Sequence, residues 1–167
     1  MDPRLAPRHY DELHEGSGIS PEVIEARGAY TETSPARLRA LGYKGDQVRV
    51  PALVLPEHLL NGWEPTYHIK PDNPRVDEVR SDGTVKYQKY DRPVGSANRL
   101  DVPPTVRDKV MYYNEPLVFT EGWKKGDAAA SHGMAVVALG GTWNYAGRTE
   151  DGWMAPLEDL RHIPLKM

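Results

Sequence analysis

Residues 116–140, PLVFTEGWKKGDAAASHGMAVVALG, constrain the chain more than any other stretch. Two short apolar runs, PLVFT and MAVVAL, bracket a helical pattern, EGWKKGDAAASH, that stops at Gly133. Short apolar runs of this kind read as buried strands, and a helix between two of them reads as a crossover. Parallel strands need such a crossover, and it is right-handed. The segment is therefore expected to be a strand–helix–strand unit with Glu121 at the carboxyl end of its first strand. In open parallel sheets, ligand sites gather at that end.

The elements upstream differ in kind. Ser20-Pro21 supplies an N-cap followed by proline in the first turn, and PEVIEAR runs to Gly28, a natural stop. Ser34-Pro35, ARLRAL and Gly42 repeat the device. Both helices are too short to stand alone and must dock. The link from Gly28 to Ser34 is longer than the tight turn of a helix-turn-helix reader. From Val48 the runs VRVPALVLP, EPTYHIKPD, VDEVR and TVKYQKY read as strands, with Asp82-Gly83 as a hairpin turn. Residues 48–92 are expected to form a small antiparallel sheet. After Gly140 the tail is loop-rich, with a helical turn at APLEDLRH. The fold class is α+β: a helical segment over 1–45, a β-rich region over 46–114 and an α/β region over 115–167.

Composition removes several function classes. The 167 residues include no cysteine, which excludes disulfides and Cys-based zinc sites. The histidines at 9, 14, 58, 68, 132 and 162 are scattered, with only a loose His9/His14 pair. A formal net charge of −3 fits neither a histone-like binder nor an acidic DNA mimic. No apolar run reaches the roughly 18–20 residues of a membrane span. The N-terminus lacks the apolar core of a signal peptide, so a cytoplasmic protein is expected.

Around Glu121 the residue types suit phosphate. Gly122 permits close backbone approach, and a helix N-terminus offers amides to an anion. Lys124 and Lys125 fall in the first helical turn, where the macrodipole disfavours cations. They either flank a phosphate or project into water. Glu121 is a candidate catalytic and metal-binding carboxylate, or an ordinary helix-start acid. Asp127 either sits on a solvated face or lies behind Glu121 and tunes it. Ala128, Ala129 and Ala130 suit close helix–sheet packing. Lys86, Tyr87, Lys89, Arg92 and Arg99 interleave cations with aromatics, which suits single-stranded nucleic acid, or equally a wet sheet face. Trp143-Asn144-Tyr145 follows the second parallel strand and falls on the same edge as Glu121.

The string TEGWKKGDAAASHG resembles the Glu-Gly motif of Toprim-like domains, the fold of primases, topoisomerases and some nucleases. Three segments in order resemble, more closely, a Toprim-like domain of unknown function found in plasmid, phage and integrated-element proteins beside primase and helicase modules. They are SGISPEVIEARG, then YHIKPDNPRVD with KYQKYDRPVGSANRLDVPP, then the Glu121 segment with ALGGTWNY. The resemblance implies nucleic-acid metabolism with Mg²⁺, Glu121 acting as general acid/base or metal-associated carboxylate. It also implies a later strand ending in Asp-x-Asp, and this sequence contains no Asp-x-Asp. Glu150/Asp151 and Glu158/Asp159 are the available substitutes. The expected function is thus a primase-like, nucleic-acid-associated domain of mobile-element DNA replication, incomplete as a catalyst. Its partners would be single-stranded or primer–template DNA, with primase or helicase modules. The alternatives are a phage- or plasmid-encoded module that binds or inhibits a host complex, and a hydrolase using substitute acids.

Overall fold

The computed structural model describes residues 4–60, 65–112, 115–141 and 144–164. Helices α1 (Pro7–His14), α2 (Pro21–Arg27) and α3 (Pro35–Ala40) alternate with a short strand β1 (Tyr30–Glu32). Strands β2 (Ala52–Glu57), β3 (Thr66–Pro71), β4 (Arg75–Val79), β5 (Val85–Gln88) and β6 (Leu100–Asp101) follow. Then come α4 (Arg107–Tyr112), β7 (Val118–Glu121), α5 (Trp123–Ser131), β8 (Val136–Leu139), β9 (Ala146–Arg148) and β10 (Met154–Pro156). The class is mixed α+β, as the sequence leads one to expect.

The capping chemistry works locally. The Ser20 and Ser34 hydroxyls accept hydrogen bonds from the Val23 and Arg37 amides. Gly28, in a left-handed conformation, closes α2. Strand β1, which sequence patterning does not reveal, pairs antiparallel with β2 because Tyr30 faces Val54 and Glu32 faces Ala52. It is three residues long, too short for its alternation to show.

The middle segment divides where a single antiparallel sheet was expected. β1, β2 and β3 make one three-stranded antiparallel sheet, whereas among the described residues β4 and β5 pair only with each other. That hairpin turns near Asp82-Gly83 and leaves Val76, Val79, Val85 and Tyr87 exposed. The tail adds an antiparallel β9–β10 pair and a short 3₁₀ turn at Glu158–His162.

The last sheet positions the site. Its order is β6–β8–β7, with β7 parallel and β6 antiparallel to β8. The strand–helix–strand unit is present, in a mixed sheet. Central β8 is buried, but β7 lies at the edge with Val118 and Phe119 exposed, which corrects the expectation of two buried strands. An apolar run cannot reveal which strand will have a neighbour on each side. Helix α5 lies close on this sheet because Gly126 carries no Cβ. A methyl there would sit 3.0 Å from the Ala138 Cβ. The largest core cluster joins Leu13, Ile24, Leu55, Trp123 and Val136, drawing α1, α2, β2, α5 and β8 together.

Candidate functional site

Parallel pairing sets Glu121 opposite Leu139, so both strands end at the same edge. The Gly122 amide donates to the Leu139 carbonyl at 2.5 Å and continues the ladder by one step. The backbone then turns into α5 with Gly122 at φ 72° and ψ 141°, a conformation open essentially to glycine. The carboxylate therefore stands at the junction of β7 and α5.

A cavity of about 490 Å³ opens at this junction. Glu121, Gly122, Trp123, Lys124 and Lys125 form one wall, and Gly140, Gly141 and Asn144 another. Glu57, His68, Tyr90 and Arg92 supply the side contributed by the first sheet and the connector. Three permanent cations (Arg92, Lys124, Lys125) meet four carboxylates there (Glu57, Asp91, Asp101, Glu121).

The two lysines each find a carboxylate. Lys125 pairs with Glu121 one turn away, and Lys124 reaches Glu12 of α1. Both placements offset the cost of a cation in the first turn of a helix. Arg92 is mostly buried and ion-paired to Glu57, while His68 Nε2 lies 2.9 Å from the same Glu57 oxygen. Gly140 makes room for that guanidinium, since a Cβ there would fall 2.8 Å from an Arg92 nitrogen.

Burial alone would push the Glu57 carboxyl up. The contacts with His68, Arg92 and the Thr66 hydroxyl outweigh it and hold the group at about 2. Relative to its ordinary value of 4.5, a depressed carboxylate adds stability that is fully present above pH 4.5. That stability is lost as pH falls through about 2. Wild-type unfolding free energy should fall over this window by on the order of 3 kcal/mol from Glu57. Glu57→Gln should flatten the fall in urea titrations between pH 7 and pH 3.

Asp127 points inward from α5. It accepts from Arg27 Nε at 3.0 Å, and Arg27 Nη1 donates to Asp101 at 2.5 Å and to the Pro56 carbonyl at 3.1 Å. Burial pushes Asp127 up to about 6 against the pull of Arg27. Its partners make it a tie between α5, α2 and β6.

The remaining residues singled out by sequence do not converge. Lys86 pairs with Asp77 at 2.6 Å across the β4–β5 hairpin, and Tyr87 is exposed beside it. Lys89 borders a second cavity with Arg8, Glu12 and Lys70. Arg99 binds Asp159, which thereby leaves the set of substitute acids. His9 is buried between Thr31 and Asp72, and His14 bonds to the Ile19 carbonyl. Trp143 lies outside the described residues. Sequence reading passed over Glu57 and Asp101; Glu57 ends a strand as Glu121 does, the one signal that was available.

Among the described residues no three of His, Asp or Glu are grouped to hold a metal ion. A protein cage for Mg²⁺ is therefore absent from them. An ion held by Glu121 would need phosphate oxygens and water to complete its shell.

Residues 108–163, which hold Glu121, Lys124 and Lys125 but not Glu57, His68 or Arg92, match a sequence family described as a domain of unknown function (DUF3854). No curated protein matches the chain. Among solved structures the chain is similar to the Aquifex aeolicus primase, whose crystal structure comprises zinc-binding and RNA polymerase domains. The identity is 17%, the TM-score 0.56, and the match covers 80% of this chain. It spans 37% of the primase chain, well under half its length. The likeness shows that the matched part of this chain shares its fold with part of that primase.

Proposed function

We propose that this chain is a primase-related, nucleic-acid-associated domain of mobile-element DNA replication. It receives single-stranded or primer–template DNA at the Glu121 cleft. The observation that carries this reading is the meeting of Glu121-Gly122, Lys124 and Lys125 with Glu57, His68 and Arg92 around one cavity. Four carboxylates against three permanent cations make the cleft poor at holding a phosphate unaided. Glu121 would help hold a divalent cation, Mg²⁺ in our reading, whose charge would reverse that balance. The fold likeness to a primase supports the same reading.

The role we assign is binding and positioning. Gly122 lets a phosphate approach the backbone, and Lys124 and Lys125 meet its charge. A two-metal displacement needs more carboxylates than Glu121 supplies. Fluorescence anisotropy with a labelled single strand and a primer–template junction tests the proposal. Binding should appear at low salt, strengthen with Mg²⁺ and weaken steeply as salt rises. No binding to either substrate at low salt would end it.

A second reading has its own observation. The β4–β5 hairpin holds Val76, Val79, Val85 and Tyr87 in solvent, away from every core cluster. A module that binds a host or replication protein would use such a surface. One stoichiometric protein recovered from host lysate, without nucleic acid, would favour it.

A further inference from the structure

We propose that Lys70 and Lys124 form a phosphate-binding subsite which Glu12 fills as an internal stand-in. As regards its biological ligand, the proposal rests on the nucleic-acid reading above. Glu12 lies on α1, Lys70 on β3 and Lys124 on α5, three elements distant in sequence. One carboxylate meets both ammonium groups, Oε1 facing Lys124 and Oε2 facing Lys70. Two like charges are thus held together by a single acid, and the trio keeps one unit of positive charge. The two oxygens of a carboxylate and two non-ester oxygens of a phosphate have nearly the same bite. Phosphate therefore fits the same pair of donors while supplying as much charge or more.

Glu12 is not what holds α1 in place. Leu13 is buried, His9 bonds to Thr31 and Asp72, and the Ala6 amide donates to the Thr31 hydroxyl. The Glu12 side chain is a quarter exposed and can swing into solvent without moving the helix. Location supports the assignment. Lys124 lines the Glu121 cleft, whereas Glu12 and Lys70 line a neighbouring cavity of about 550 Å³ with Arg8 and Lys89. A phosphate between the lysines would mark the passage from one cavity to the other. Glu12 then acts as a competitor that weak anions cannot displace and a polyanion can.

Inorganic tripolyphosphate, measured by titration calorimetry, tests the subsite directly. Glu12→Gln should bind it about tenfold more tightly than wild type, and Glu12→Gln with Lys70→Met should lose that gain. Unchanged affinity in Glu12→Gln, or a gain that survives Lys70→Met, overturns the proposal. If Glu12→Gln proves poorly folded, Lys70→Met and Lys124→Met alone should each weaken tripolyphosphate binding several-fold. Affinity equal to wild type in either variant would overturn it. A single-stranded DNA titration separates the two readings. The slope of log affinity against log salt should steepen by about 0.7 in Glu12→Gln, because the net charge of the trio rises from one unit to two. Tripolyphosphate gain with no DNA binding would keep the subsite and sink the nucleic-acid reading.

Discussion

Arg27→Met should destabilise the protein by about 3–5 kcal/mol, because it removes the one cation between two buried carboxylates. Arg27 is 1% exposed, and Asp101 and Asp127 are 2% and 1% exposed. The guanidinium ties α2 to α5 through Asp127, to β6 through Asp101 and to β2 through the Pro56 carbonyl. A methionine would fill much of the space and leave both acids unpaired away from water. The cost is thus that of the orphaned charges more than of lost packing. Adding Asp127→Leu and Asp101→Asn to Arg27→Met should recover most of the loss, since an Asn oxygen can still accept from the His58 amide. Urea midpoints of the three proteins decide the matter. A loss under about 1 kcal/mol in Arg27→Met would show that the carboxylates find water or each other.

Gly126→Leu should cost about 2–3 kcal/mol through overpacking. The missing Cβ leaves α5 in contact with the sheet, with Ala138, Pro103 and Thr120 around the site at 3.0, 3.9 and 3.9 Å. A leucine must push α5 away, and Lys124, Lys125 and Asp127 would move with it. Gly126→Ala should be close to neutral. Its better helix propensity, about 1 kcal/mol, offsets a contact that needs a few tenths of an ångström of give. Equal stability in the leucine variant would mean that α5 packs more loosely than these distances imply.

How far the sequence foretells the molecule depends on the range of the forces involved. Ser20-Pro21 with Gly28, and Ser34-Pro35 with Gly42, are legible because caps act within a few residues. The crossover unit and the strand-end place of Glu121 are legible because two apolar runs and a helix leave few topologies. The edge exposure of Val118 and Phe119 was not, because it depends on what else pairs with β7. Nor was the Arg27 cluster, whose partners lie 74 and 100 residues away. Arg92 shows the limit most plainly. Among neighbouring cations and tyrosines it reads as a surface contact, yet Glu57, 35 residues earlier, draws it largely inside. Lys124 and Lys125 look misplaced in a helix start until Glu12 and Glu121 are seen beside them.

The central claim is that nucleic acid engages the cleft at the end of β7, and a charge reversal there tests it most directly. A labelled primer–template junction should bind wild type at low salt in the presence of Mg²⁺. Lys124→Glu with Lys125→Glu should weaken that binding on the order of a hundredfold while leaving the folded spectrum intact. Affinity unchanged by the double reversal would place any bound DNA elsewhere on the protein and contradict the account.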